Sequence, residues 1–207
     1  MIGGRARAFL AVLCVLPWLA TGVDAALAKD GGAEGPVEFV TTLGDRTISM
    51  LSNASLSEGE RRTRFRYLLD EGFDLDAIAR FALGRYWRRA TRDERAEYRV
   101  LFEEFIVRTY VGRLGRYGGE QLSVVDTIAD GDGDTLVRSE ILDPNFPPIR
   151  VDWRVRTIDK SYRIVDVVLE GVSMALTQRD EFAAVIQRNG GTVEGLLNEL
   201  RSKITSQ

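Results

Sequence analysis

Within residues 164–182, IVDVVLEGVSMALTQRDEF, the run Gly171-Val172-Ser173-Met174-Ala175 has the spacing of a nucleophile elbow, G-x-S-x-G with the last glycine replaced by alanine. An apolar, strand-like run precedes the serine and helix-like sequence follows it, the context in which such a serine attacks an ester carbonyl. A serine esterase or lipase built on Ser173 also needs a base. The 207-residue chain contains no histidine, which removes Ser-His-Asp and Cys-His arrangements and every histidine-ligated zinc or haem site. Its lysines are Lys29, Lys160 and Lys203, and none stands in a Ser-x-x-Lys motif. Ser173 reads better as a polar residue at a strand-to-helix corner, bonded to backbone.

Two carboxylate groupings can be weighed in the same way. Asp166 and Glu170, four apart on a strand, share one face at about 13 Å, too far for the paired work of sugar hydrolysis. Asp130, Asp132 and Asp134 have the spacing that opens an EF-hand loop, but Thr135 stands where that loop needs glycine and Ile141 where it needs glutamate. A hairpin turn is the better reading. No metal and no cofactor is expected, and no enzyme.

Arg85, Arg88, Arg89, Arg92 and Arg95 surround Tyr86 and Trp87. They form either a solvated helix end or an anion-seeking surface for phosphate headgroups or an acidic partner. The stripe Phe102, Phe105 and Tyr110 is either core or the wall of a cavity facing a sheet with Trp153.

These residues must be held by elements whose boundaries the sequence marks. Pro36 opens a helix. Ser57 with Glu60 and Thr91 with Glu94 are capping boxes, and Asp74 caps a short helix that Gly84 closes. From Tyr98 to Leu114 apolar residues recur at three-four spacing. Strands follow Gly118-Gly119. Leu122, Val124 and Val125 lie in the first, 136–142 form the second, and Ile149, Val151, Trp153 and Val155 alternate with Arg150, Asp152, Arg154 and Arg156 in the third. Tyr162 to Leu169 form the last, after a turn at Asp159-Lys160. Alternation places Val165, Val167 and Leu169 on one face and Ile164 and Val168 on the other. Two helices split at Gly190-Gly191 complete the chain. The expected class is α+β, an antiparallel sheet of about four strands with helices on one face.

Residues 1–28 have the form of a cleaved export signal. Arg5 and Arg7 precede a short apolar run, and Ala26-Leu27-Ala28 is a cleavage site. The single cysteine, Cys14, lies inside this segment and follows Leu13, so it is no lipobox. The formal net charge of −3 becomes −4 once two arginines and one aspartate leave with the signal, which argues against nucleic acid. Residues 29–207 are expected to form one domain that holds by packing, without disulfides.

Three blocks carry a family resemblance. FALGRYWRRATRDERAEYRVLFEEFIVRTYVGRLGRYGGE (81–120), DPNFPPIRVDWRV (143–155) and RIVDVVLEGVSMALTQRDEFAAVIQRNGGTVEGLLNELR (163–201), in this order, resemble the MlaC or toluene-tolerance family. The resemblance implies a periplasmic carrier of phospholipid between the outer and inner membranes. It also implies partnership with an inner-membrane MCE-domain ABC transporter and an outer-membrane lipoprotein complex. The sequence also resembles a branch associated with hopanoids, so a hopanoid or other polycyclic lipid is an alternative ligand. The implied pocket lies between sheet and helices, takes the acyl chains and leaves the headgroup near solvent. Candidates to line it are Phe81, Leu83, Tyr86, Phe102, Phe105, Ile106, Tyr110, Val151, Trp153, Val155, Val167, Leu169, Val172 and Met174. Arg85 and Arg88 are candidates for headgroup or partner contact.

Overall fold

The computed structural model describes residues 35–114 and 118–205. The expected leader, with Arg5, Arg7, Cys14 and the cleavage site after Ala28, lies outside the described residues. Three helices come first, α1 (Pro36–Ser52), α2 (Glu58–Gly72) and α3 (Leu75–Leu83). Each starts where its sequence signal stands. Pro36 occupies the first turn of α1. Ser57 and Glu60 exchange both bonds of a capping box on α2. Asp74 accepts from the Ala77 amide at the start of α3. A 3₁₀ turn, Gly84–Arg88, leads to α4 (Arg92–Leu114), whose first turn is closed by the reciprocal Thr91–Glu94 bonds.

The sheet is an antiparallel meander of β1 (Gln121–Asp130), β2 (Asp134–Leu142), β3 (Ile149–Ile158), β4 (Ser161–Leu169) and β5 (Val172–Ser173), in that spatial order. The fifth strand was not expected. Glu170 and Gly171 both take positive φ, 49° and 81°. That is the geometry of a tight hairpin whose second position favours glycine, and it turns the chain straight back onto β4. Asp159 and Lys160 make the same kind of turn between β3 and β4. Residues 130–134 form the expected hairpin through one 3₁₀ turn. The chain ends in α5 (Met174–Arg188) and α6 (Val193–Thr205).

Register sorts the sheet into two unlike faces. Val137 faces Trp153, and Trp153 faces Val167, while Val151 faces Ser139 on one side and Leu169 on the other. This is the inner face, on which α1 packs over β1 and β2, with α2 against β4. The alternation expected for β4 fails midway. The pairing shifts between Arg154↔Asp166 and Val155↔Ile164, leaving Val165 as an extra residue. A bulge of this kind reverses the faces beyond it. Ile164 therefore shares the inner face with Val167 and Leu169, and it is fully buried.

The outer face is a ladder of ion pairs. Arg138 pairs with Asp126, Arg154 with Asp130 and more distantly with Asp166, and Arg156 grips Asp134 through two bonds. Arg138 holds the Asp126 carboxyl below its ordinary range by hydrogen bonding, and Arg154 does the same to Asp130. A carboxylate with a lowered folded-state pKa stabilises the fold fully above the ordinary range and loses that contribution as pH falls through the lowered value. The urea midpoint should be flat from neutral pH to about 5 and decline below about 4. Added salt should weaken the dependence, because the Arg138–Asp126 and Arg154–Asp130 pairs are partly open to solvent. A decline that begins near neutral pH would contradict this.

Two apolar clusters fill the interior. One is helical, made by α3, the 3₁₀ turn, α4, α5 and α6 around Tyr98, Phe102, Phe182, Ile186 and Leu197. The other lies between the sheet and α1, α2 and α4, around Leu43, Phe65, Leu68, Val107, Val137 and Ile164. At 100° per residue, Tyr98, Phe102 and Phe105 point roughly 160° away from Val107 and Val111. Helix α4, about 34 Å long, is thus a partition buried on two sides. Close approach of α1 to the sheet depends on Gly44, where a Cβ would collide with the Leu122 side chain.

Candidate functional site

Four rows of side chains cross the inner face. Thr135, Val155 and Ile164 stand opposite one another, then Val137, Trp153 and Val167, then Val124, Ser139, Val151 and Leu169, and at the far end Leu122, Ile141 and Ile149. Burial is deep in the first three rows, through Ser139 and Val151, and is lost at Leu169 and in the last row. Ile164, Val137, Val155 and Val151 are buried, Trp153 and Val167 are half-buried, and Leu169 and Ile149 are exposed. Val172, paired with Leu169 across the hairpin, is 53% exposed. The inner face therefore ends in an exposed apolar lip of Ile149, Leu169 and Val172. The 143–148 connection follows β2 at this end, with Phe146 exposed.

This arrangement divides the pocket candidates. Tyr110, Trp153, Val155 and Val167 meet in the sheet-side cluster, and Ile106 touches both clusters. Leu169 and Val172 stand at the lip with half-buried Met174 just after them. Leu83, Tyr86, Phe102 and Phe105 do not join them. Phe102 and Phe105 pack on Phe182 of α5, with ring centroids 6.2 and 6.0 Å away. They face away from the sheet because they sit on the opposite side of α4 from Val107. Phe81 is exposed on α3, where Arg179 lies over its ring at 4.8 Å. Sequence reasoning passed over Phe39, Phe73 and Tyr162, which pack against the sheet-side cluster. Tyr162 could have been found from its place on β4.

The polar groups of the sheet-side region are satisfied locally. Ser139 Oγ donates to the Val151 carbonyl at 2.6 Å and accepts from the Trp153 indole at 2.9 Å. This fixes the indole against the inner face. In the helical cluster the buried Tyr98 hydroxyl donates to the Ala79 carbonyl, and burial pushes its pKa well above the ordinary value.

Ser173 has neither the geometry nor the partners of a nucleophile. Its Oγ donates to Asp166 Oδ2 at 2.6 Å and accepts from the Leu176 amide at 3.0 Å, capping α5. Asp166 also accepts from the Ala175 amide at 3.0 Å. Its carboxylate thus lies at the positive end of α5. Glu170 lies in the hairpin turn and accepts from the Arg150 amide, so the two carboxylates do not form a pair. Ser173→Ala is expected to cost about 1 kcal/mol of stability through the lost cap. It should leave any background ester hydrolysis unchanged in a chromogenic-ester assay; abolished hydrolysis would restore the nucleophile.

Arg85 and Arg88 lie on the 3₁₀ turn, where residues three apart eclipse and project from one side. Arg85 donates to the Tyr86 hydroxyl at 3.0 Å and lies over its ring. Arg88 is exposed. Two clefts open elsewhere. One of about 460 Å³ lies among Phe73, Asp74, Val100, Phe102, Ile158 and Arg163. One of about 260 Å³ is bordered by Phe105, Phe182, Arg188, Leu200 and Lys203.

The chain is similar to known proteins along most of its length. A phospholipid-binding protein from Ralstonia solanacearum, solved in complex with a phospholipid, has the same fold. The TM-score is 0.72 at 23% identity, covering 84% of this chain and 98% of that one. Over 132 residues the chain is 24% identical to "Toluene tolerance protein ttg2D" of Pseudomonas putida. That match spans 61% of this chain and 61% of the relative's length, so each extends beyond the shared part. Residues 41–202 match the family model described as MlaC protein. That span runs from the second turn of α1 to the last turns of α6 and includes every strand of the sheet, and on this ground the chain belongs to the MlaC family.

Proposed function

We propose that this protein is a periplasmic lipid carrier that binds a phospholipid with its acyl chains between the inner face of the sheet and helices α1, α2 and α4. The observation that carries the reading is the inner face itself. It is apolar along four rows except for Thr135 and the hydrogen-bonded Ser139, and it becomes exposed toward an apolar lip, in a fold shared with a protein solved in complex with a phospholipid. Exposing a chain of roughly 16 carbons to water costs on the order of 12 kcal/mol, so transfer between membranes needs such a sleeve.

In this reading Ile106, Tyr110, Val151, Trp153, Val155 and Val167 flank the acyl chains, and Leu169, Val172 and Met174 form the exit. Phe81, Arg85 and Arg88 lie toward the headgroup or a partner. Leu83, Tyr86, Phe102 and Phe105 support α4 from behind. The chain binds and releases its ligand without chemistry, Ser173 being occupied as a helix cap. Residues 1–28 direct export, residues 29–207 form the carrier, and the partners are an inner-membrane MCE-domain ABC transporter and an outer-membrane lipoprotein complex.

Native mass spectrometry and lipid extraction of protein purified from the periplasm test the reading. One phospholipid per chain is expected. Recovery of no lipid, with no uptake from labelled vesicles, would defeat it, and a polycyclic lipid in place of phospholipid would correct the ligand class.

A further inference from the structure

We infer that the surface joining the lip to the 3₁₀ turn docks onto the face of an anionic phospholipid leaflet. Two independent features meet there. The first is a run of exposed apolar side chains. Val172 pairs with Leu169, and Leu176 follows in the first turn of α5. Arg179 comes three residues later on the same side of α5. Its guanidinium covers Phe81, and its aliphatic stem packs against Gly84, 3.2 Å from where a Cβ would stand.

The second feature is charge without counter-charge. The protein as a whole is acidic, and every arginine of its sheet but Arg163, together with Arg201 of α6, is matched to a carboxylate, as in Arg138–Asp126, Arg156–Asp134 and Arg201–Glu97. Among the described residues, Arg61, Arg64, Arg92, Arg95, Arg163 and Arg188 are also outside any ion pair, spread over α2, α4, β4 and α5; the dense group without a carboxylate within ion-pair distance is Arg80, Arg85, Arg88, Arg89 and Arg179. All five lie on or against the short stretch from the end of α3 through the 3₁₀ turn. Several of these cations rest on aromatic rings instead, Arg85 and Arg89 on Tyr86 and Arg179 on Phe81. This arrangement leaves their charge available outward.

Unmatched arginines beside an apolar run fit an anionic interface. The guanidinium groups meet phosphates, and the apolar side chains meet the acyl boundary below them. The inference deepens the carrier reading and rests on it for the nature of the surface met, since the apolar run continues into the lip through which a lipid would pass.

Vesicle flotation of the full protein tests it, using phosphatidylcholine alone and phosphatidylcholine mixed with phosphatidylglycerol, at low and high salt. Bound phospholipid is extracted from the same preparations. Binding to the mixed vesicles at low salt, lost at high salt, is expected. The Arg80→Gln/Arg89→Gln/Arg179→Gln variant should bind about 100-fold more weakly while keeping its carried lipid and cooperative melting. Should that variant fail to fold, Arg80→Gln/Arg89→Gln alters two exposed side chains only and should still weaken binding about tenfold or more. Protein that carries phospholipid but does not float overturns the inference, leaves the carrier reading standing and points to an acidic protein as the occupant. Equal binding to neutral and anionic vesicles, or variants that bind like the parent, also overturns it. Flotation by protein that carries no lipid supports the surface and defeats the carrier reading.

Discussion

Replacing Val167 by Trp should strip phospholipid from the purified protein without unfolding it. Val167 is half-buried on the inner face, opposite Trp153 and two residues before the exposed Leu169. A larger side chain at this position extends into the proposed acyl path, toward the lip and away from the closed end of the sheet. The added indole would displace roughly three methylenes of a bound chain. At about 0.8 kcal/mol each that is about 2.4 kcal/mol, or some fifty-fold in affinity. The readouts are phospholipid per chain by extraction and the melting temperature. A companion change on the far side of α4 sets the contrast. Phe182→Leu shortens the aromatic group that Tyr98, Phe102 and Phe105 all touch. It should lower stability by about 1–2 kcal/mol and leave the carried lipid unchanged. Full lipid content in Val167→Trp would place the acyl chains elsewhere, and lipid loss in Phe182→Leu would move them to the helical cluster.

Asp166→Ala should lower the unfolding free energy by about 3 kcal/mol, the largest stability effect expected of a polar substitution here. The carboxylate is buried, accepts from Ser173 Oγ and the Ala175 amide, and lies 3.6 Å from Arg154. Hydrogen bonds to a charged group contribute about 1.5–3 kcal/mol each, and the truncation also removes an anion from the start of α5. Arg154 keeps Asp130 as a partner, so no buried cation is stranded and the loss stays below the sum of the separate bonds. Urea denaturation gives the value. A loss under about 1 kcal/mol would show that the Asp166–Ser173–α5 junction is not what holds the last helices to the sheet. Combined with Ser173→Ala, the double variant should lose less than the sum of the singles, because the two residues share one bond.

Much of the fold was legible because its signals are local. Ser57–Glu60, Thr91–Glu94 and Asp74 each start a helix through bonds spanning three residues, so residue identities suffice to read them. The strict alternation of β3 survives intact, with Val151, Trp153 and Val155 inward and Arg150, Asp152, Arg154 and Arg156 outward. The family itself was readable from three blocks, and residues 41–202 match its model.

What failed were inferences needing a second element. Strand β4 reads as regular, yet Val165 bulges out where β3 pairs with it, and Ile164 changes face as a result. The two-residue β5 is too short to leave a pattern and exists only because Glu170-Gly171 returns it to β4. The aromatic stripe of α4 was the hardest case. Phe102, Phe105 and Tyr110 look like one surface, but the helix is buried on two sides and the stripe divides between two clusters.

By itself, then, the sequence determined the helix starts, the alternating sheet, the exclusion of histidine-based chemistry and the family. Each of these depends on residue identity and near neighbours in the chain. The tertiary structure alone decided which apolar residues face the sheet, where burial along its inner face gives out, and that Ser173 is a cap held by Asp166. Burial of an apolar side chain is non-directional, so pocket wall and core are written in the same residues. Only the placement of α4 between its two clusters tells them apart.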